Sequence, residues 1–357
     1  MIVISLDGLK DTEFERLASD PANYPNIAGF KKRACYNGGV KTIFVSNTYP
    51  IHTTIATGKL PCEHGVISNY ADDDLQGNWA QMASYIKQPT IWDAAHKKGL
   101  KIASILWPVT GKAKIKWNLP ETHITKGQNQ LVQNLKNGSP LFQIKAFLKH
   151  GKKMNGLDPI CLDNFTSSVA ADVIKQKRPG LTLIHLLAYD TTSHYHGSKS
   201  EALVRACKSL DDSVGKILTA AGDQTVLMFS DHGHLDVEET IDLRKIFDNV
   251  YEQCGGSAFF KSLADAKNHP WFGRLLTQEE MEVSGYAGKA VFGIAAKQGY
   301  CFGTGAYKSN HGYPADYPDY NVFYAIAGRN FSPATKLERK YGDVRDITSV
   351  ISSILSC

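Results

Sequence analysis

Met1-Ile2-Val3-Ile4-Ser5-Leu6-Asp7-Gly8 opens the chain with an apolar run that passes directly onto a carboxylate and a glycine. A short run of this kind reads as a strand buried on both faces of a sheet. Comparable runs stand at Lys101 to Leu106, Leu181 to Leu187, Thr225 to Phe229 and Val322 to Ala327, with amphipathic stretches between them. The alternation predicts an α/β fold with a largely parallel central sheet and helices on both faces. Asp7, Asp190 and Asp231 each come just after such a run. Open α/β sheets place their sites there, in the crevice beyond the carboxyl ends of the strands.

Between Ser200 and Ala221 the residues Leu203, Val204, Cys207, Leu210, Val214, Ile217 and Leu218 recur at three- and four-residue intervals, predicting a helix packed on the sheet. Thr90 is placed to cap a helix that begins at Ile91 and stops at Gly99, and Asp346 to Leu355 predicts a last helix. Two regions break the pattern, about 107–157 and about 247–302. The expectation is one domain over residues 1–357 with cap segments inserted at those two places, since loops on a rigid scaffold carry specificity.

Composition excludes several classes. Hydrophobic residues make up 43% and charged residues 21%, as in soluble globular proteins, and no stretch approaches the roughly 20 apolar residues of a membrane span. The formal charge of +5 is small, and apart from local groups at Lys112–Lys116 and Lys149–Lys153 the basic residues are dispersed. A nucleic-acid polymer is therefore not the expected partner. The seven cysteines are scattered and form no Cys-x-x-Cys pair, and the apolar start leaves no room for a charged leader. Both features predict reduced thiols and a cytoplasmic location.

The chemistry lies in short motifs: Asp7 in Ser-Leu-Asp-Gly, Thr48 in Asn-Thr-Tyr-Pro, Asp190 and His194 in Asp-Thr-Thr-Ser-His, Asp231 and His232 in Ser-Asp-His-Gly-His, and His311 in Asn-His-Gly-Tyr. Carboxylate and imidazole together suit zinc and similar divalent ions, and a hydroxyl beside them can be activated for attack. Singly each motif is weak: an Asp-His dipeptide is ordinarily a surface or capping pair, and Thr48 alone reads first as a helix cap. Their joint occurrence at strand ends carries the argument. Asn69 follows within the same segment and can donate its amide to a phosphoryl oxygen.

Thr48-Tyr49-Pro50-Ile51-His52, Thr57-Gly58, His64-Gly65 and Asn69 together resemble the alkaline phosphatase superfamily, and within it the type I phosphodiesterase/nucleotide pyrophosphatase branch. Tyr49 replaces a phenylalanine and Ile51 an asparagine of that pattern. The resemblance implies one metal held by Asp7, Asp231, His232 and the Thr48 oxygen, and a second held by Asp190, His194 and His311. The cofactors implied are two divalent ions, zinc before manganese or iron. His52, His64, His196 and His234 lie beside these positions and are expected to support neighbouring groups.

The expected reaction is hydrolysis of a small phosphodiester or nucleotide pyrophosphate substrate through a phosphothreonine on Thr48, with Asn69 assisting. Tyr70 is placed to stack on a base or simply to pack. Carbon–phosphorus bond hydrolysis, with Lys112, Lys114 or Lys116 holding a substrate carboxylate, and phosphomonoester hydrolysis stay open on the same scaffold. A metal-binding sensing module without turnover is the non-enzymatic alternative.

Overall fold

The computed structural model describes residues 1–355 except 72–73, 126, 157, 263–264 and 338. Cys357 and the Leu157 boundary fall outside the described residues. Seven strands form the central sheet: β1 (Ile2–Leu6), β2 (Cys35–Val40), β3 (Ile102–Ile105), β4 (Trp117–Leu119), β5 (Leu181–Leu186), β6 (Val226–Phe229) and β7 (Val322–Ala327). Their order is β2-β7-β6-β1-β5-β3-β4. The run β6-β1-β5-β3-β4 is parallel, and β7 runs antiparallel to both of its neighbours. The five expected strands are present. β2 and β4 were not expected, because Cys-Tyr-Asn-Gly-Gly-Val lacks an apolar run and Trp-Asn-Leu is too short to show a period.

Side chains alternate across the sheet, as the strand's twofold period requires. Ile2, Ile4 and Leu6 of β1 enter one core with the helices Asp11–Ala18, Pro25–Arg33, Pro159–Lys177 and Glu201–Ala221. Val3 enters the opposite core with Thr48–Thr57, Ile91–Lys97 and Arg345–Leu355. The long helix begins where Ser200 accepts the Leu203 N–H and buries Leu203, Cys207, Leu210, Val214 and Ile217. Val204, expected on that stripe, is exposed, since it lies a further 100° around the helix from Leu203. Thr90 caps its helix through the Asp93 N–H as expected.

The region 107–157 contributes edge strand β4 and the helices Gln130–Asn137 and Pro140–His150. Most of 247–302 folds into a separate four-stranded antiparallel sheet of Val250–Cys254, Ser257–Phe260, Phe292–Ala296 and Phe272–Leu275, with a core around Phe260, Trp271 and Ile294. Among the described residues no helix is long and apolar enough to cross a membrane. Six described cysteines are free thiols.

Candidate metal centre and nucleophile

β1, β5 and β6 lie side by side, so the segments leaving their carboxyl ends deliver Asp7, Asp190 and Asp231 to one place. After β1 the chain turns at Gly8 (φ +70°), whose N–H donates to Asp231 Oδ1 at 3.1 Å. Asp190 and His194 sit one turn apart on the helix Ala188–His196. Buried Asp163 accepts the N–H groups of Leu187 (2.9 Å) and Ala188 (3.1 Å), which pins the start of that helix.

Thr48 is the first residue of the helix Thr48–Thr57, whose N-cap Asn47 provides no side-chain cap. Asn47 Oδ1 instead lies 3.1 Å from His311 Nδ1. The helix is positioned from within: buried His52 places Nδ1 2.8 Å from the Thr48 carbonyl and Nε2 2.9 Å from Ser5 Oγ of β1. Burial pushes His52 down to about 4, so it serves as a neutral hydrogen-bonding group. Asn69 Oδ1 accepts the Tyr49 N–H at 2.9 Å, leaving its amide hydrogens for another acceptor. Ile51, the departure noted above, is fully buried in the second core.

Every expected ligand position is brought together. Asp7, Asp231 and His232 offer atoms within 4.8 Å of one another, and so do Asp190, His194 and His311. His232 Nε2 is 3.3 Å from Asp7 Oδ1, 3.3 Å from Asp231 Oδ2 and 3.3 Å from Thr48 Oγ1. Those two carboxylate oxygens are buried without a hydrogen-bond partner, an arrangement costing a few kcal/mol unless something cationic meets them. Around Asp190 Oδ1 lie His194 Nε2 at 3.4 Å and His311 Nε2 at 3.9 Å. His194 and His311 turn their Nδ1 atoms to backbone carbonyls, of Ser309 (3.0 Å) and Ser46 (3.0 Å). Their Nε2 atoms are thereby left as lone-pair donors, the usual state of ligating histidine.

Charge points the same way. Burial, then the carboxylates of Asp231 and Asp190, hold Asp7 well above the ordinary carboxylate range. Burial and the neighbouring His232 and His194 hold His311 well below the ordinary histidine value, so it is neutral. Three buried carboxylates beside the imidazoles of His194, His232 and His311 form a donor set that fits divalent cations of the zinc type. Asp231 and His232 are fully buried, whereas Thr48 and His311 are each 8% and Asp190 9% exposed, so the cluster is reached from the Thr48 and Asp190 side.

The structure adds residues that the motifs did not single out. His185 of β5 sets Nε2 2.8 Å from Asp7 Oδ2 and Nδ1 3.1 Å from the Leu106 carbonyl and 3.4 Å from Glu121 Oε2. Burial opposes its charge, but Asp7 and Glu121 hold it well above the ordinary histidine value, and Glu121 is pulled against burial to about 2 by His123 and His185. A histidine inside the run Leu-Thr-Leu-Ile-His-Leu was the available signal. His234, expected to support neighbours, places Nε2 2.7 Å from Asp190 Oδ1 and Nδ1 3.1 Å from Ser309 Oγ. His64 bonds Thr54 and the Val66 N–H in the core, and His196 is exposed.

Tyr70, Trp79 and His123 form a wall beyond Asn69, with Tyr70 5.3 Å from Trp79 and His123 stacked on Trp79 at 3.7 Å between ring centroids. Tyr307 borders His194 at 5.3 Å. No arginine lies in the motifs, yet Arg244 acts on the Tyr70 phenol, lowering a pKa that burial and Glu252 raise. Lys114 and Lys116 belong elsewhere. They line a cavity of about 460 Å³ with Lys101 and Leu100 at the amino ends of β3 and β4, opposite the cluster.

The architecture is that of the alkaline phosphatase-like α/β class: solved structures sharing it include murine ectonucleotide pyrophosphatase/phosphodiesterase 5, an inactive threonine-to-alanine variant in complex with AMP (TM-score 0.70, 16% identity, covering 100% of this chain and 94% of that one). Another is phosphonoacetate hydrolase from Sinorhizobium meliloti 1021 with phosphonoformate (TM-score 0.69, 14% identity, 99% and 95% covered). The family model for type I phosphodiesterase/nucleotide pyrophosphatase matches residues 1–298, and the chain belongs to that family. Among curated relatives, venom phosphodiesterase CdcPDE of Crotalus durissus collilineatus is 24% identical over 276 residues, 70% of this chain and 28% of that protein. Human ectonucleotide pyrophosphatase/phosphodiesterase family member 1 is 24% identical over 247 residues, 65% of this chain and 23% of its own length. The chain thus spans about a quarter of the length of these two relatives.

Proposed function

We propose that the protein hydrolyses phosphodiester or nucleotide pyrophosphate bonds, with Thr48 as nucleophile. The observation that carries this reading is the Thr48 hydroxyl 3.3 Å from His232 Nε2, which itself faces the two unpartnered oxygens of Asp7 and Asp231. Asp7, Asp231 and His232 with Thr48 would hold one divalent cation, and Asp190, His194 and His311 a second. Bound there, such cations supply positive charge that acidifies a hydroxyl and neutralises phosphoryl oxygens, zinc being the best match to the donors.

Thr48 Oγ1 gives up its proton and attacks phosphorus, the bond to the leaving oxygen breaks, and that oxygen takes up a proton as the first product departs. Water then attacks the phosphothreonine, and Thr48 recovers its proton. Asn69, fixed through the Tyr49 N–H, directs its amide at a phosphoryl oxygen, and the start of the Thr48 helix presents the positive end of its dipole to the same charge. The wall of Tyr70, Trp79 and His123 suits a flat or apolar substituent on the phosphate. We place residues 1–357 in one catalytic domain, with 107–157 and 247–302 as caps; Gly256 N–H donates to the His311 carbonyl at 2.7 Å, joining the second of these to the site.

Motifs free of arginine favour a phosphate with one substituted oxygen over a monoester, which brings one more negative charge. Carbon–phosphorus hydrolysis is the second reading, favoured by the fold shared with phosphonoacetate hydrolase, although Lys114 and Lys116 cannot hold its carboxylate from the far end of the sheet. Rates on bis-p-nitrophenyl phosphate, p-nitrophenyl thymidine monophosphate, p-nitrophenyl phosphate and phosphonoacetate, with and without chelator, separate these readings. Faster turnover of the diesters, abolished by chelator, is the expected result; turnover of the monoester or phosphonate alone would replace the substrate class.

A further inference from the structure

Thirteen large hydrophobic side chains are exposed among the described residues, and seven of them fall between Ile124 and Leu148. Six of the seven, all but Ile124, belong to the helical hairpin Gln130–Asn137 and Pro140–His150. On its second helix Leu141 (77% exposed), Ile144 and Leu148 (80% exposed) stand at i, i+3 and i+7, one stripe turned to solvent, while Gln143 and Ala146 face the protein. Leu131 and Val132 of the first helix are also exposed. From Gln130 to Lys153 the sequence holds Lys136, Lys145, Lys149, Lys152 and Lys153 and no aspartate or glutamate, in a chain whose overall formal charge is only +5. All five lysines are exposed, and of the five Lys149 pairs with Asp172 on the neighbouring helix.

We propose that this hairpin docks the protein onto an anionic lipid bilayer surface. An apolar stripe with a polar face rich in lysine and free of carboxylates is the pattern by which helices lie in the membrane interface. Each lysine near an anionic leaflet adds roughly 1 kcal/mol, about fivefold in partitioning. A second copy of this chain fits less well, because a twofold self-contact would set this all-positive segment against itself. The hairpin adjoins the site: Gln130 Nε2 donates to the Thr122 carbonyl at 2.8 Å, beside Glu121 and His123. The inference is independent of which phosphate ester is hydrolysed.

The test is flotation of the full chain with vesicles of phosphatidylcholine alone and of phosphatidylcholine mixed with phosphatidylglycerol, alongside size-exclusion chromatography. Two double variants accompany it, Leu141→Asp with Leu148→Asp and Lys145→Glu with Lys152→Glu, each checked for an unchanged melting curve. The expected result is binding to the anionic vesicles only, weakened by salt and reduced at least about tenfold in either variant. Absence of binding, equal binding to neutral vesicles, or anionic binding that survives in the leucine variant would overturn the proposal. So would a dimer that the leucine variant dissociates, which would assign the stripe to a second copy.

Discussion

His234 Nε2 lies 2.7 Å from Asp190 Oδ1, the same oxygen that faces His194 and His311. His234 thus fixes the rotamer of the carboxylate on which the second ligand group converges. His234→Ala should lower metal affinity and turnover about 10–100-fold, the usual cost of removing a group that orients a ligand. His234→Gln, which restores an N–H of similar reach, should recover much of the loss. Metal titration of both variants, followed by intrinsic fluorescence, checks this without relying on activity.

Gly8 makes room for that histidine. A Cβ at Gly8 would stand 2.8 Å from His234 Cδ2 and 2.9 Å from its Nε2, and the residue holds φ at +70°. Gly8→Ala should therefore cost at least about 1–2 kcal/mol from the backbone alone, and more as His234 is displaced. A chemical denaturation midpoint lowered together with metal affinity is the expected pair of results.

His185 bridges two buried acids, with Nε2 2.8 Å from Asp7 Oδ2 and Nδ1 3.4 Å from Glu121 Oε2. Removing it in His185→Ala takes from both acids the partner they share and leaves the Glu121 carboxylate without its counter-charge, a loss expected to cost about 3–5 kcal/mol. Adding Glu121→Gln should return part of that stability, because one uncompensated charge goes with it. A double-mutant cycle by denaturant unfolding, with a coupling energy well above zero, is the predicted outcome.

Much of this was legible in the sequence because the ligands sit where strand periodicity could be read. Asp7, Asp190 and Asp231 follow buried runs, and a parallel sheet delivers the ends of neighbouring strands to one edge. His185 and Glu121 escaped because neither belongs to a motif: one lies inside a strand, the other after a three-residue edge strand without a period. Arg244 escaped for a different reason. Its charge acts on Tyr70 from some 170 residues away in sequence, a relation that no local pattern encodes. The four-stranded sheet of the 247–302 region was likewise hidden, since its bulged, irregular strands spoil the twofold alternation.

Asp163 supplies a pH signature apart from the ligand groups. Burial raises its carboxyl to about 7 against the pull of the Leu187 and Ala188 N–H groups. With the folded value above the unfolded one, the native state binds the extra proton, so this contribution is complete at pH below the ordinary aspartate value and is lost as pH rises through about 7. Melting temperature followed across that range should decline, and Asp163→Asn should flatten the decline. An unchanged slope in the variant would assign the pH dependence to other groups.

The central claim is that Thr48 becomes covalently attached to the phosphoryl group. Acid quenching of the metal-loaded protein during turnover of p-nitrophenyl thymidine monophosphate, followed by peptide mass spectrometry, reads this directly. A thymidylyl adduct on Thr48 is predicted, absent from the Thr48→Ala protein along with turnover. Full turnover in Thr48→Ala, or an adduct on any other side chain, would contradict the account.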